Sequence, residues 1–199
     1  MKIIIINGPS GSGKSWLGKF LSKKKGIKCY DNDDIISECF YKIYKSNIKY
    51  NKNFWKKVYK LSEYKIRNIY VKNLENKKVN LLIFVGAQPM PKFIYEKINN
   101  YFIIKITDLE TVYKQRIKRD IEKINKNTKK MQKIIKDEPV EHILPLMNHM
   151  LMINTEFPQY NVWKQQISDY YYVAKHDWKI KQIYPIDEII DYINNINKK

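Results

Sequence analysis

The sequence predicts an α/β fold, a three-layer α/β/α sandwich built on a five-stranded parallel sheet. Three observations carry that expectation. Strand-like runs recur along the 199 residues, most of them unbroken apolar stretches, as strands covered on both faces require. Helical patterns fill the intervals, and such alternation implies parallel strands joined by crossover helices. Between the first run, "KIIIIN", and the first helix lies an abrupt turn of small residues, Gly8-Pro9-Ser10-Gly11-Ser12-Gly13-Lys14-Ser15.

Taken in order, the expected strands are 2–7, 27–31, 79–86, 101–107 and 169–174. The expected helices are 14–24, 33–46, 52–76, 90–99, 109–135, 139–152 and 186–197. Pro185 suits the first turn of the closing helix "IDEIIDYINNI". Between 125 and 165, clustered Lys and Asn give way to Pro139, Pro145 and Pro158, and regularity is weakest; this segment is expected to be a mobile or inserted helical region on the core. No repeat and no Pro/Gly/Ser-rich linker divides the chain, so a single domain is expected over 1–199.

Composition bounds the class. Hydrophobic residues make up 44% and aromatics 14%, which argues for a folded globular chain. No apolar run approaches the roughly eighteen residues of a spanning helix, and Ile3–Ile6 is too short for a signal-peptide core. Cys29 and Cys39 lack metal-ligand spacing and fit a reducing, cytoplasmic setting. The formal charge of +18 suggests an anionic partner. Yet lysine outnumbers arginine 35 to 3, Asn, Ile and Tyr are also abundant, and the lysines are spread along the chain. That profile follows an A- and T-rich coding sequence, so anionic small substrates are favoured over a dedicated nucleic-acid surface. The bias makes Arg67, Arg116 and Arg119 informative, because a guanidinium grips a phosphate through two parallel bonds.

Gly8-x-x-x-x-Gly13-Lys14-Ser15 satisfies the P-loop pattern, with a strand before it and a helix after it. Its glycines let successive N–H groups turn inward on an anion at the positive end of the helix. Lys14 is then expected to reach the β- and γ-phosphates of ATP, and the Ser15 hydroxyl to ligate Mg²⁺. A plain strand–turn–helix would explain neither the lysine nor the serine. Asp31-Asn32-Asp33-Asp34 follows the second strand, at the sheet edge where ligands gather in parallel α/β folds. One carboxylate can serve the Mg²⁺ shell, and another can orient an attacking hydroxyl or take its proton. Helix capping needs one acid, not three.

Lys14 followed by Asp31-x-Asp33 resembles the P-loop kinases of the adenylate, shikimate and gluconate kinase group. The resemblance implies a P-loop NTPase fold with a helical lid, ATP and Mg²⁺ as cofactors, Asp31 in the metal shell and Asp33 facing the acceptor, with Asp34 beside it. "LLIFVG" followed by "AQPMP" resembles the segment that lies beside the acceptor, which brings in Gly86 and Gln88. Val85 stands where nucleotide kinases commonly carry an aspartate, so more metal work falls to Asp31. "ITDLETVYKQRIKRDIEKI" resembles the passage into the lid, where Arg116 or Arg119 would close over the transferring phosphoryl group. Arg67 corresponds to an arginine that holds an anionic group of the acceptor. "DYYYVAKHDWKIKQIYPIDEIIDYI" resembles the last strand, the adenine-edge loop and the closing helix, which puts the base near 183–186. The core is then 1–32, 79–112 and 168–199, the acceptor-binding helical region 33–78, and the lid with its insertion 113–167.

The expected activity is transfer of the γ-phosphate of ATP to a small acceptor, a nucleoside monophosphate or nucleoside first. A 5′-hydroxyl polynucleotide kinase would suit the charge, but the arginine that family places beyond the acids is missing from "DDIISE". A hydrolysing switch NTPase would want an acid after the third strand, and "LLIFVG" has none. Trp55, Tyr59 and Tyr64 have the helical spacing of core residues, and His142 and His149, seven apart, are read as structural.

Overall fold

The computed structural model describes residues 1–45, 52–87, 90–137, 160–176 and 183–197. The chain divides into two compact units, Met1–Thr107 with Tyr171–Lys199, and Asp108–Tyr170.

The first unit is built on strands β1 (Lys2–Asn7), β2 (Ile27–Asp31), β3 (Leu81–Val85) and β4 (Asn100–Ile103). They form one parallel sheet in the order β2-β3-β1-β4. Ile4 pairs with Ile83 across β1 and β3, and Ile6 with Phe102 across β1 and β4. Helices α1 (Lys14–Ser22), α2 (Asn32–Lys45), α3 (Lys52–Glu75), α4 (Lys92–Tyr95) and α7 (Ile186–Asn197) flank it. Alternate strand residues feed two separate cores. Ile3, Ile5, Leu82 and Phe84 pack with Phe40 of α2, Phe54, Val58 and Ile66 of α3, and Ile94 of α4. Ile4, Ile6, Leu81, Ile83 and Val85 pack with Leu17 and Leu21 of α1 and with Ile189 and Ile193 of α7. Both faces are covered, which is why the strands read as continuous apolar runs.

The five-stranded expectation is corrected among the described residues, where the sheet has four strands. Residues 169–174 are not a strand. They belong to helix α6 (Tyr160–His176), whose buried Trp163, Ile167 and Ala174 fall at helical spacing. The edge beyond β4 instead carries a single parallel bridge between Ile104 and Tyr184. Lys105 N–H donates to Tyr184 O at 2.7 Å, and Tyr184 N–H to Ile103 O at 2.8 Å.

In the second unit, α5 (Leu109–Asp137) opens on Asp108, whose Oδ1 accepts Thr111 N–H at 3.0 Å and caps the helix. That bond holds the Asp108 carboxyl below its ordinary pKa. Tyr113 packs on Trp163 with ring centroids 5.4 Å apart. His142 and His149 lie outside the described residues, as does the expected helix 139–152. Among the described residues, no helix is long and apolar enough to cross a membrane.

Candidate functional site

At the carboxyl end of β1 the chain enters a tight loop before α1. Gly11 and Gly13 both adopt φ of 88°, the left-handed region that side chains resist. Gly8 is required for a different reason: a Cβ there would stand 2.6 Å from Ser12 Oγ and 3.3 Å from Ile104 Cβ. Ser12 N–H donates to Pro9 O at 3.1 Å, and Leu17 N–H to Gly13 O at 2.9 Å, so the loop passes directly into the helix. Lys14 is buried and bends back over the loop, donating to Gly8 O at 2.8 Å and Pro9 O at 3.0 Å. Its charge is thus held over the loop. Ser12 Oγ is buried without a hydrogen-bond partner among the described residues. Pro9 is buried and Ser10 exposed. Such a nest of amides, with an orphaned hydroxyl and a lysine, suits a phosphate chain.

The acids meet this loop from β2. Ser15 hydroxyl donates to Asp31 Oδ2 at 2.8 Å, while Asp31 Oδ1 accepts Asp33 N–H at 3.0 Å. One carboxylate therefore joins the start of α1 to the start of α2. A hydroxyl beside a carboxylate is a hard-oxygen pair that fits Mg²⁺, which keeps water and phosphate oxygens in its shell. Among the described residues, no group of three or more His, Cys, Asp or Glu could hold a metal ion. Ser15 and Asp31 would act with phosphate oxygens, not as a protein cage.

Asp33 is tied to the next strand end. Ala87 N–H lies 3.1 Å from both Asp33 Oδ1 and Oδ2. Gly86 makes this approach feasible: its φ is 154°, and a Cβ would stand 3.1 Å from Asn32 Cβ and 3.2 Å from Asp33 Oδ1. Asp34 is exposed in the first turn of α2. Gln88 lies outside the described residues. Arg67 on α3 stacks over the Phe93 ring, 4.3 Å from its centroid, and pairs with Glu63 at 3.6 Å. Trp55 packs against the core beside Phe40 and Phe54, whereas Tyr59 and Tyr64 are exposed.

Ile186, at the start of α7, lies beside the loop: a Cβ on Gly13 would stand 3.3 Å from its Cδ1. Residues 183–186 therefore include a neighbour of the glycine-rich loop. Arg116 and Arg119 both lie on α5 in the second unit, Arg116 half-buried and Arg119 exposed. Trp16, one residue past Ser15, is 56% exposed and stacks on Phe20 at 5.4 Å.

Two residues beside the loop carry no motif. Asn7 Oδ1 accepts Gly8 N–H at 2.9 Å, and Asn7 Nδ2 donates to the Tyr101 hydroxyl at 2.9 Å. Burial pushes the Tyr101 phenol up to about 12. The only sequence signal was Asn7 itself, a polar residue closing an otherwise apolar strand.

No family model matches the sequence, and no curated protein matches it. Its fold is nonetheless matched by a solved structure. The 1.7 Å crystal structure of shikimate kinase from Bacteroides thetaiotaomicron aligns over 100% of this chain and 99% of its own, with TM-score 0.51 and 12% identity. A second structure, that of APE1195, aligns over 87% of this chain and 94% of its own at 12% identity; its TM-score of 0.31 is too low to bear on the fold. The chain thus shares the fold of that shikimate kinase.

Proposed function

We propose that the protein is an ATP-dependent phosphotransferase that moves the γ-phosphate to an oxygen of a small acceptor. The observation that carries this is the Ser15–Asp31 contact of 2.8 Å at the mouth of a glycine-rich loop, with Asp33 tied to Ala87 on the adjoining strand end. A hydroxyl, a lysine and inward amides suit a magnesium triphosphate, and a second carboxylate suits an acceptor oxygen. Lys14 spreads charge over the β- and γ-phosphates, and Ser15 and Asp31 would hold a magnesium ion, which would supply further neutralising charge. Asp33 orients the acceptor oxygen, or takes its proton where it is a hydroxyl. Arg116 or Arg119 shields the phosphoryl group. Catalysis on this scheme is alignment plus charge neutralisation.

The acceptor class proposed is a nucleoside monophosphate or nucleoside. Arg67, stacked on Phe93, supports an anionic acceptor, because its guanidinium fork is held by a ring. The experiment is transfer from γ-labelled ATP to nucleosides, nucleoside monophosphates, shikimate-like alcohols and 5′-hydroxyl oligonucleotides. Label on a monophosphate or nucleoside is the expected outcome. Label on the oligonucleotide alone would replace the acceptor, and release of inorganic phosphate alone would replace the reaction.

A further inference from the structure

The direction of the hydrogen bonds around Asn7 follows from chemistry. A backbone N–H can only donate, so the Asn7 atom 2.9 Å from Gly8 N is the carbonyl oxygen. The other end of the carboxamide is therefore the NH₂ group, and it faces the Tyr101 hydroxyl at 2.9 Å. The phenol oxygen must accept. The Gly8 N–H fixes which way round the carboxamide sits, because a rotation by half a turn would set the NH₂ against it, and the phenol, accepting from the NH₂, holds the other end in place.

Both main-chain polar groups of Gly8 are then engaged: its N–H by Asn7 and its C=O by Lys14 Nζ at 2.8 Å. Pro9 has no N–H, and Ser12 N–H is taken by Pro9 O at 3.1 Å. Among the loop residues before the helix, the N–H groups of Ser10, Gly11 and Gly13 make no hydrogen bond to other described residues. The root of the cradle is anchored to the sheet, and its tip is free for a ligand. Asn7 is only 4% exposed, so this anchor is shielded from competing water. The Tyr101 ring is itself held, stacked on Tyr95 with centroids 6.4 Å apart. Its raised pKa keeps the phenol neutral across the working range.

We propose that Asn7 and Tyr101 are positioning residues for nucleotide binding, with Tyr101 acting through the Asn7 carboxamide to lock the root of the phosphate loop. The inference rests on the triphosphate-binding function proposed above. Tyr101 touches no ligand in this scheme. Its whole effect passes through Asn7, and that makes it separable from a packing role.

The test is calorimetric titration of MgATP, which needs no knowledge of the acceptor. Tyr101→Phe keeps the ring and its stacking, and it is expected to raise the dissociation constant about fivefold. Asn7→Ala is expected to raise it about tenfold, and adding Tyr101→Phe to that variant to change it less than about twofold. In an Asn7→Asp background the Tyr101→Phe effect returns, because a carboxylate can accept both from Gly8 N–H and from the phenol. A merely structural loss would lower the fraction of protein that binds without moving the dissociation constant. An unchanged constant for Tyr101→Phe overturns the proposal, as does an equal Tyr101→Phe penalty in the Ala and Asp backgrounds. Failure of the wild-type chain to bind MgATP would overturn the proposed function itself.

Discussion

The two faces of the sheet are built from different material. On the side of α1 and α7 the core is nearly all aliphatic, and the packing is close: a Cβ on Gly18 would stand 3.1 Å from Val85 Cγ2. On the side of α2, α3 and α4 it is rich in rings, with Phe40 against Phe54 at 5.1 Å and against Trp55 at 5.6 Å. Polar bonds thread that second side, where Asn73 Nδ2 donates to the Tyr30 hydroxyl at 3.2 Å and Asn7 Nδ2 to Tyr101. We relate the difference to a division of labour within the proposed site. The aliphatic face presses α1 onto the sheet and so fixes the phosphate loop. The aromatic face supports α2, which carries Asp33, and among the described residues touches the loop only at its root, through Asn7 and Tyr101.

Variants can break that division. Lys14→Ala is expected to lower transfer about a thousandfold and to weaken MgATP binding as well, with the thermal transition unchanged. Near-native transfer would remove the lysine from the chemistry. Asp33→Asn is expected to lower turnover about a hundredfold while the MgATP dissociation constant stays within about threefold. Equal losses in both would merge the two sides and move Asp33 into the metal shell.

Core truncations sharpen the contrast. Phe40→Ala should cost about 4 kcal/mol in denaturant unfolding and leave MgATP affinity near wild type. Leu17→Ala should cost about 3 kcal/mol and also weaken MgATP, since Lys14 and Ser15 stand one turn away on the same helix. If Phe40→Ala weakened ATP binding more than Leu17→Ala, the division would fail.

The smallest effect is alkaline. Burial raises Cys29, packed beside the aliphatic core, from 9.0 to about 12, and Tyr101 from 10.0 to about 12. Well below pH 9, the ordinary value of the thiol, both groups are protonated, folded or unfolded, and contribute no slope. Above it the unfolded thiol releases its proton first and the unfolded phenol follows, while the folded forms keep theirs. The unfolded state then binds fewer protons, and stability falls as pH rises toward 12. Cys29→Ala should delay the onset and make the fall shallower in melts run from pH 8 to 11.

Much of the first unit was legible because its signals are local. A run of isoleucines, a glycine loop with Lys14 and Ser15, and an amphipathic segment each carry their own chemistry. The stretch 169–174 misled for a local reason too: Tyr170, Tyr171, Tyr172 and Val173 favour strands. Its helical spacing shows only with Trp163 and Ile167, which lie upstream. The meeting of Ser15 with Asp31 follows from two motifs at one sheet edge. The role of Tyr101 does not, because one tyrosine among 16 has no motif, and its partner is 94 residues away. Asp31 also serves two neighbours, Ser15 and Asp33 N–H, which spacing alone cannot assign.

The indole of Trp16 turns this arrangement into something visible. It stands in solvent one residue past Ser15, while Trp163 is wholly buried in the other unit. On the proposed function, filling the loop is expected to change the emission of this water-exposed indole. A titration with MgATP followed by intrinsic fluorescence would then read the proposed site without an attached dye.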